Sequence, residues 1–189
     1  MEINIMRNFD FWHSTYKIVS KGFVCWNCEN NVASERGISS DNGHSSVLIC
    51  PYCNAPNIIL PNGYNLVKPL YGRDIKKLPA GIKNIYDEAR KSMQVEAYTG
   101  AVMLLRKILM NISVDNGAEN GETFKYYINF LYNENLIHKK QKSLIDKIRI
   151  VGNEANHQIE SITKETAENV FKLTEHLLLN NYEFTDDDI

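Results

Sequence analysis

Nowhere in the 189 residues is there a run of about 18 apolar side chains, so no transmembrane helix is expected. The opening stretch, MEINIMRNFDFW, has neither the basic n-region nor the apolar core of a signal peptide, and a cytoplasmic protein is expected. A surplus of one charge is lacking too. Twenty-one Lys and Arg stand against 23 Asp and Glu, so net charge neither requires nor forbids a polyanionic partner. Proline stops at Pro79. The 110 residues after it contain none, which removes the strongest helix breaker from more than half of the chain. No segment repeats another.

Cysteine is scarce, and its placement is ordered. Cys25, Cys28, Cys50 and Cys53 form two Cys-x-x-Cys pairs with 21 residues between them. In a reducing compartment two disulfides are disfavoured. A two-residue gap lets both thiolates of a pair bend round one ion, and two such knuckles complete a tetrahedron of sulfur. The spacing predicts one zinc ion per chain, bound by these four cysteines. Four thiolates leave no open position for an activated water, so the ion is structural. His44 is read as a loop residue.

The flanks support a small β unit. Residues 15–26 (TYKIVSKGFVCW), 46–50 (SVLIC) and 57–60 (NIIL) are rich in β-branched and aromatic residues and read as strands. The polar stretch 30–46, with Gly37 and Asp41-Asn42-Gly43, reads as a turn. A domain this small buries little apolar surface, and the metal supplies the missing stability. The expected organisation is a zinc ribbon over 1–63, a linker over 64–79 punctuated by Pro69, Gly72 and Pro79, a helical bundle over 80–183, and an acidic tail over 184–189.

Apolar spacing predicts about five helices in the bundle. The first spans about 80–95, with Ile82, Ile85, Tyr86 and Ala89 on one face. The second, about 98–113, is apolar at Ala101, Val102, Leu104, Leu105, Ile108 and Leu109 and is expected at the centre. The third spans about 123–133 and the fourth about 139–156. The fifth starts at Thr163, an expected N-cap with Glu165 in the first turn, and runs to about 180. On the fourth, Leu144, Ile148, Val151 and Ala155 make a core stripe. Arg149, Asn153 and His157 lie opposite at i, i+4 and i+8. This ridge is read either as a solvated face or as a site. The basic runs, Lys68 to Lys77 and Lys139 to Arg149, are read as solvated faces.

Four groups of residues resemble a known family: Cys25-x-x-Cys28 with Cys50-Pro-x-Cys53; Ile85-Tyr86-x-Glu88-Ala89; Gly100-Ala101-x-x-Leu104-Leu105-Arg106-Lys107; and Ile148-Arg149-x-x-Gly152-Asn153-x-x-x-His157. Over residues 20 to 182 the chain resembles bacterial proteins built around domain of unknown function 4145, often preceded by a zinc ribbon. The resemblance implies an HEPN-like helical domain, a setting in prokaryotic restriction and antiviral defence, and a tendency to dimerise or to dock a protein partner. Nucleic acid is a further candidate partner, and a membrane is not. Many HEPN domains are metal-independent RNases carrying an Arg, a polar residue, then a His. Asn153 and His157 match the last two, but Gly152 occupies the Arg position. Arg149, about 12 Å along the helix from His157, and Arg106 are candidate substitutes. Arg106 is alternatively an ion-pair partner for Glu88 or Glu154. Three readings follow: a non-enzymatic interaction module with structural zinc, an RNase using His157 with Arg149 or Arg106, and a nucleotide- or phosphate-sensing module.

Overall fold

The computed structural model describes residues 9–138, 141 and 162–183. The chain divides into two compact units, 1–70 and 71–189.

The first unit is one antiparallel sheet of four strands in the order β1-β2-β3-β4. These are β1 (Tyr16–Val24), β2 (Asn31–Ser39), β3 (Ser46–Ile49) and β4 (Pro56–Ile59). Three of them fall where β-branched residues cluster. β2 does not, and it corrects the expected turn over 30–46. Its apolar signal is weak because it buries a serine and a glycine beside Val32. Ser34 is 7% exposed, and its hydroxyl donates to the Ile49 carbonyl at 2.8 Å. A polar residue is thus buried without an unmet hydrogen bond. Gly37, read from the sequence as a turn glycine, allows a close approach. A Cβ there would lie 2.0 Å from the Val47 carbonyl oxygen. The true turn is only 40–45, closed by Ser40 N–H to Ser45 O at 2.9 Å, with Gly43 at φ 71°. The core of this unit is small: Phe23, Val32, Leu48, Ile59, Ala55 and three of the cysteines, with Trp26, Phe9 and Ile18 packed against it.

The second unit corrects the expected fold of about five helices. Its described residues hold four: α1 (Ala80–Gln94), α2 (Tyr98–Asp115), α3 (Phe124–Asn133) and α4 (Lys164–Leu178), the last continued by a π-turn, Leu179–Glu183. The helix expected over about 139–156, with its core stripe and polar ridge, lies outside the described residues. The four observed helices start and stop close to where periodicity put them. α2 packs on α1, α3 and α4, and Ala101, Val102, Leu105, Ile108, Leu109 and Ile112 are all fully buried. These positions make one broad apolar face, wide enough to take three neighbouring helices, while Met103, Lys107 and Asn111 face out. Thr163 caps α4 by accepting the Thr166 N–H at 3.2 Å, and Thr123 caps α3 from Tyr126 at 3.3 Å. Each satisfies a helix-start amide that has no partner within the helix. Residues 71–79, read from the sequence as linker, send Ile75 (1% exposed) and Leu78 (9%) into this core. Among the described residues no helix is long and apolar enough to cross a membrane.

Candidate metal centre

The four cysteines converge. All four Sγ atoms lie within 4.8 Å of one another, with Cys25 to Cys53 at 3.7 Å and Cys28 to Cys50 at 3.6 Å. These separations are far beyond a disulfide bond of about 2.05 Å, and the cysteines are free. They match the edge of a sulfur tetrahedron: zinc–sulfur bonds of about 2.3 Å place neighbouring sulfurs about 3.8 Å apart. The donor set therefore fits a tetrahedral, thiolate-seeking ion, zinc foremost.

Two turns of the same design present the sulfurs. In the first, the Glu29 N–H donates to the Cys25 carbonyl (2.9 Å) and the Cys25 N–H to the Asn30 carbonyl (3.0 Å). In the second, Asn54 donates to Cys50 (3.0 Å) and Cys50 to Ala55 (3.0 Å). The fifth residue of each, Glu29 at φ 59° and Asn54 at φ 58°, is left-handed. That reversal turns the chain back into the sheet behind the two sulfurs. Asn tolerates this region well, whereas Glu pays some strain for it.

A ring of asparagines surrounds the sulfurs, a feature the sequence reading passed over. Asn57 is fully buried. Its amide donates to Cys25 Sγ at 3.6 Å and to the Ala55 carbonyl at 2.9 Å. Its oxygen accepts from Trp26 N–H at 3.2 Å and from Asn65 Nδ2 at 3.0 Å. Asn30 Nδ2 donates to Cys28 Sγ at 3.5 Å, and Asn27 hydrogen-bonds Cys53. Donors aimed at thiolates stabilise their charge and fix their direction. The density of asparagine at 27, 30, 54 and 57 was the available signal. Trp26 Nε1 to the Pro56 carbonyl and Trp12 Nε1 to the Asn54 carbonyl, both 2.8 Å, then tie the turns to their surroundings.

The thiols of the cluster are shifted in opposite directions by burial and by hydrogen bonding. Burial pushes Cys50 up to about 12, against the N–H groups of Cys53 and Tyr52, which pull it down. Burial also raises Cys28. At Cys53 burial pushes the same way, but hydrogen bonds from the Asn27 side chain, the Ala55 N–H and the Cys28 and Cys25 side chains together outweigh it, and that thiol falls below its ordinary value. Four clustered thiolates, three of them buried, would repel one another, and a divalent cation relieves both the repulsion and the desolvation cost.

The remaining candidates are not brought to this centre. His44 is exposed, at the turn between β2 and β3, and is not part of the cysteine cluster. Arg106 is on α2 in the other unit, with its guanidinium carbon 4.2 Å from the centre of the Phe124 ring, and burial lowers its pKa. Arg149, Asn153 and His157 lie outside the described residues, as does Glu154.

The sequence model of the family described as Domain of unknown function (DUF4145) matches residues 87–187. That is just over half of the chain. The match lies within the helical unit, and the metal centre lies outside it. No curated protein and no solved structure matches the chain.

Proposed function

The chain belongs to the DUF4145 family, and we propose that it is a zinc-stabilised protein-binding module of a prokaryotic defence assembly, without catalysis of its own. The observation that carries this reading is the closed sulfur cluster. A site whose four ligands are all cysteines holds a structural ion and keeps no position for substrate or water. The small sheet needs that ion, because its own apolar core is a handful of side chains. The defence setting rests on the sequence resemblance.

A protein partner is favoured over nucleic acid by the character of the first unit. Residues 1–70 carry five cationic side chains (Arg7, Lys17, Lys21, Arg36, Lys68) and five acidic ones (Glu2, Asp10, Glu29, Glu35, Asp41). Nucleic-acid binding draws most of its affinity from a cationic surplus, and there is none here. Exposed apolar side chains are plentiful instead: Phe11 is 64% exposed, Tyr16 60%, Val19 79% and Tyr52 74%. Aromatics of this kind anchor protein interfaces. Of the residues an RNase would use, only Arg106 is among those described, and its guanidinium stacks on Phe124.

The test uses the full chain. Metal analysis is expected to return one zinc per chain. Incubation with labelled single-stranded RNA, with and without EDTA, is expected to leave the RNA intact and unbound at micromolar protein. EDTA-resistant cleavage that disappears in His157→Ala would overturn the non-enzymatic reading. Salt-sensitive RNA binding without cleavage would overturn the choice of a protein partner and leave the structural zinc standing.

A further inference from the structure

Residues 71–79 have no helix or strand of their own, yet six of their backbone polar groups are satisfied by side chains of the helical unit. The buried Arg90 on α1 donates through Nε to the Tyr71 carbonyl at 2.9 Å and through Nη2 to the Gly72 carbonyl at 3.0 Å. The Tyr86 hydroxyl donates to the Arg73 carbonyl at 3.1 Å, and the Arg73 N–H to Glu175 Oε1 on α4 at 2.6 Å. Gly72 stands at φ +73° against Phe171, where a Cβ would come within 2.3 Å of the ring. This first half of the strap is fastened from inside the core.

The second half is fastened differently. The consecutive N–H groups of Lys76 and Lys77 both donate to one oxygen, Glu183 Oε2, at 3.1 and 3.2 Å. Glu183 lies beyond the end of α4, the helix that already meets the strap through Phe171 and Glu175. It is the last residue of the π-turn Leu179–Glu183, which in turn is held to the end of α2. Tyr182 hydrogen-bonds the Asp115 carboxylate. Asn116 Nδ2 donates to Asn181 Oδ1 at 2.8 Å, and Asn181 Nδ2 donates back to the Leu177 carbonyl at 2.7 Å. One side of the turn grips α2, and the other holds the strap.

We propose that residues 179–183 are a clasp that couples the C-terminal end of α2 to the strap, so that loosening either attachment releases the backbone N–H groups of Lys76 and Lys77 from Glu183. A carboxylate cap on two amides is effective only while its own backbone is held. Here part of that holding is done by Asp115 and Asn116, which are not among the strap's hydrogen-bond partners, beside the turn's continuity with α4 and the packing of Leu179 and Tyr182 on the core. The π-turn suits the task, because its wider backbone projects Asn181, Tyr182 and Glu183 toward different neighbours. The device gives the helical unit a local opening, distinct from global unfolding.

Hydrogen exchange on the full chain tests it, residue by residue. In Glu183→Ala the Lys76 and Lys77 amides are expected to exchange at least about tenfold faster, with the Arg73 amide unchanged. The deciding variants touch no strap residue: Tyr182→Phe alone, and Tyr182→Phe with Asn116→Ala. Both are expected to accelerate the same two amides, the double variant more. Unchanged exchange at Lys76 and Lys77 in the double variant would reduce Glu183 to a local cap and overturn the clasp. Equal acceleration in the buried middle of α2, around Leu105 to Leu109, would also overturn it, since the opening would then be global.

Discussion

The two units hold themselves together by opposite means. Among the described residues, the sheet unit has a core of eight buried residues, three of them cysteines, while the helical unit has twenty-two, almost all aliphatic or aromatic. In the helical unit one more or one fewer methyl group is a perturbation. In the sheet unit the core without its sulfur cluster falls below what a domain of that size needs. The difference also sets how each responds to its surroundings. Apolar burial is indifferent to chelators and to thiol chemistry, whereas a sulfur cluster answers to both.

The largest expected effect tests that contrast directly. Removing the metal, or replacing a ligand by Cys50→Ser, should unfold the sheet unit, because structural zinc contributes about 10 kcal/mol or more of apparent folding free energy. Both tryptophans, Trp12 and Trp26, are in this unit. Tryptophan emission should therefore shift to that of a solvated indole while far-UV ellipticity at the helical minimum is kept. Simultaneous loss of both signals would show that the helical unit depends on the metal as well.

The mirror-image perturbation is smaller. Leu105 is fully buried in α2, and Leu105→Ala should cost about 3 kcal/mol in lost burial and cavity. Chemical denaturation followed by ellipticity should show the lowered midpoint. Metal content and tryptophan emission should stay as in the parent protein.

The smallest expected effect concerns pH. Asp74 in the strap pairs with Lys76 and, at 2.7 Å, with Lys83. Burial pushes this carboxyl up, but the two lysines outweigh it and hold it down to about 2. Its folded pKa lies below the unfolded one, so its contribution is present above the ordinary carboxylate range and is lost as pH falls from about 4 through about 2. Both partners are partly solvated, which limits the contribution to about 1 kcal/mol. In Asp74→Asn this component of the acid loss should disappear from the helical unit's stability profile between those pH values. An unchanged profile would mean that the pair contributes nothing. Protons also compete for the cysteine sulfurs, so the sheet unit should lose its metal at a higher pH than the one at which Asp74 titrates.

What was legible in the sequence follows the same division. In the helical unit a single physical signal, apolar residues three and four apart, placed α1, α2, α3 and α4, and the hydroxyl of Thr163 marked a start. The signal works because a helix satisfies its own backbone and needs only to know which face is buried. In the sheet unit the cysteine spacing was equally legible, since two-residue gaps make a knuckle whatever the rest of the chain does. β2 was not. Its buried positions include Ser34 and Gly37, and these are right only because Ile49 offers a carbonyl and Val47 passes close by.

By itself, then, the sequence determined the paired cysteine knuckles, the periodicity of the four described helices and the Thr163 cap, because each depends on residues a few positions apart. Only the tertiary structure decided that polar residues 31–39 form a strand, that Asn57 points its amide at Cys25, and that Arg90, Glu175 and Glu183 satisfy the backbone of 71–77. Those partners lie from about 15 to more than 100 positions away along the chain. No local pattern encodes them, because a buried hydrogen bond is specified by both of its ends and the fold alone brings the two together.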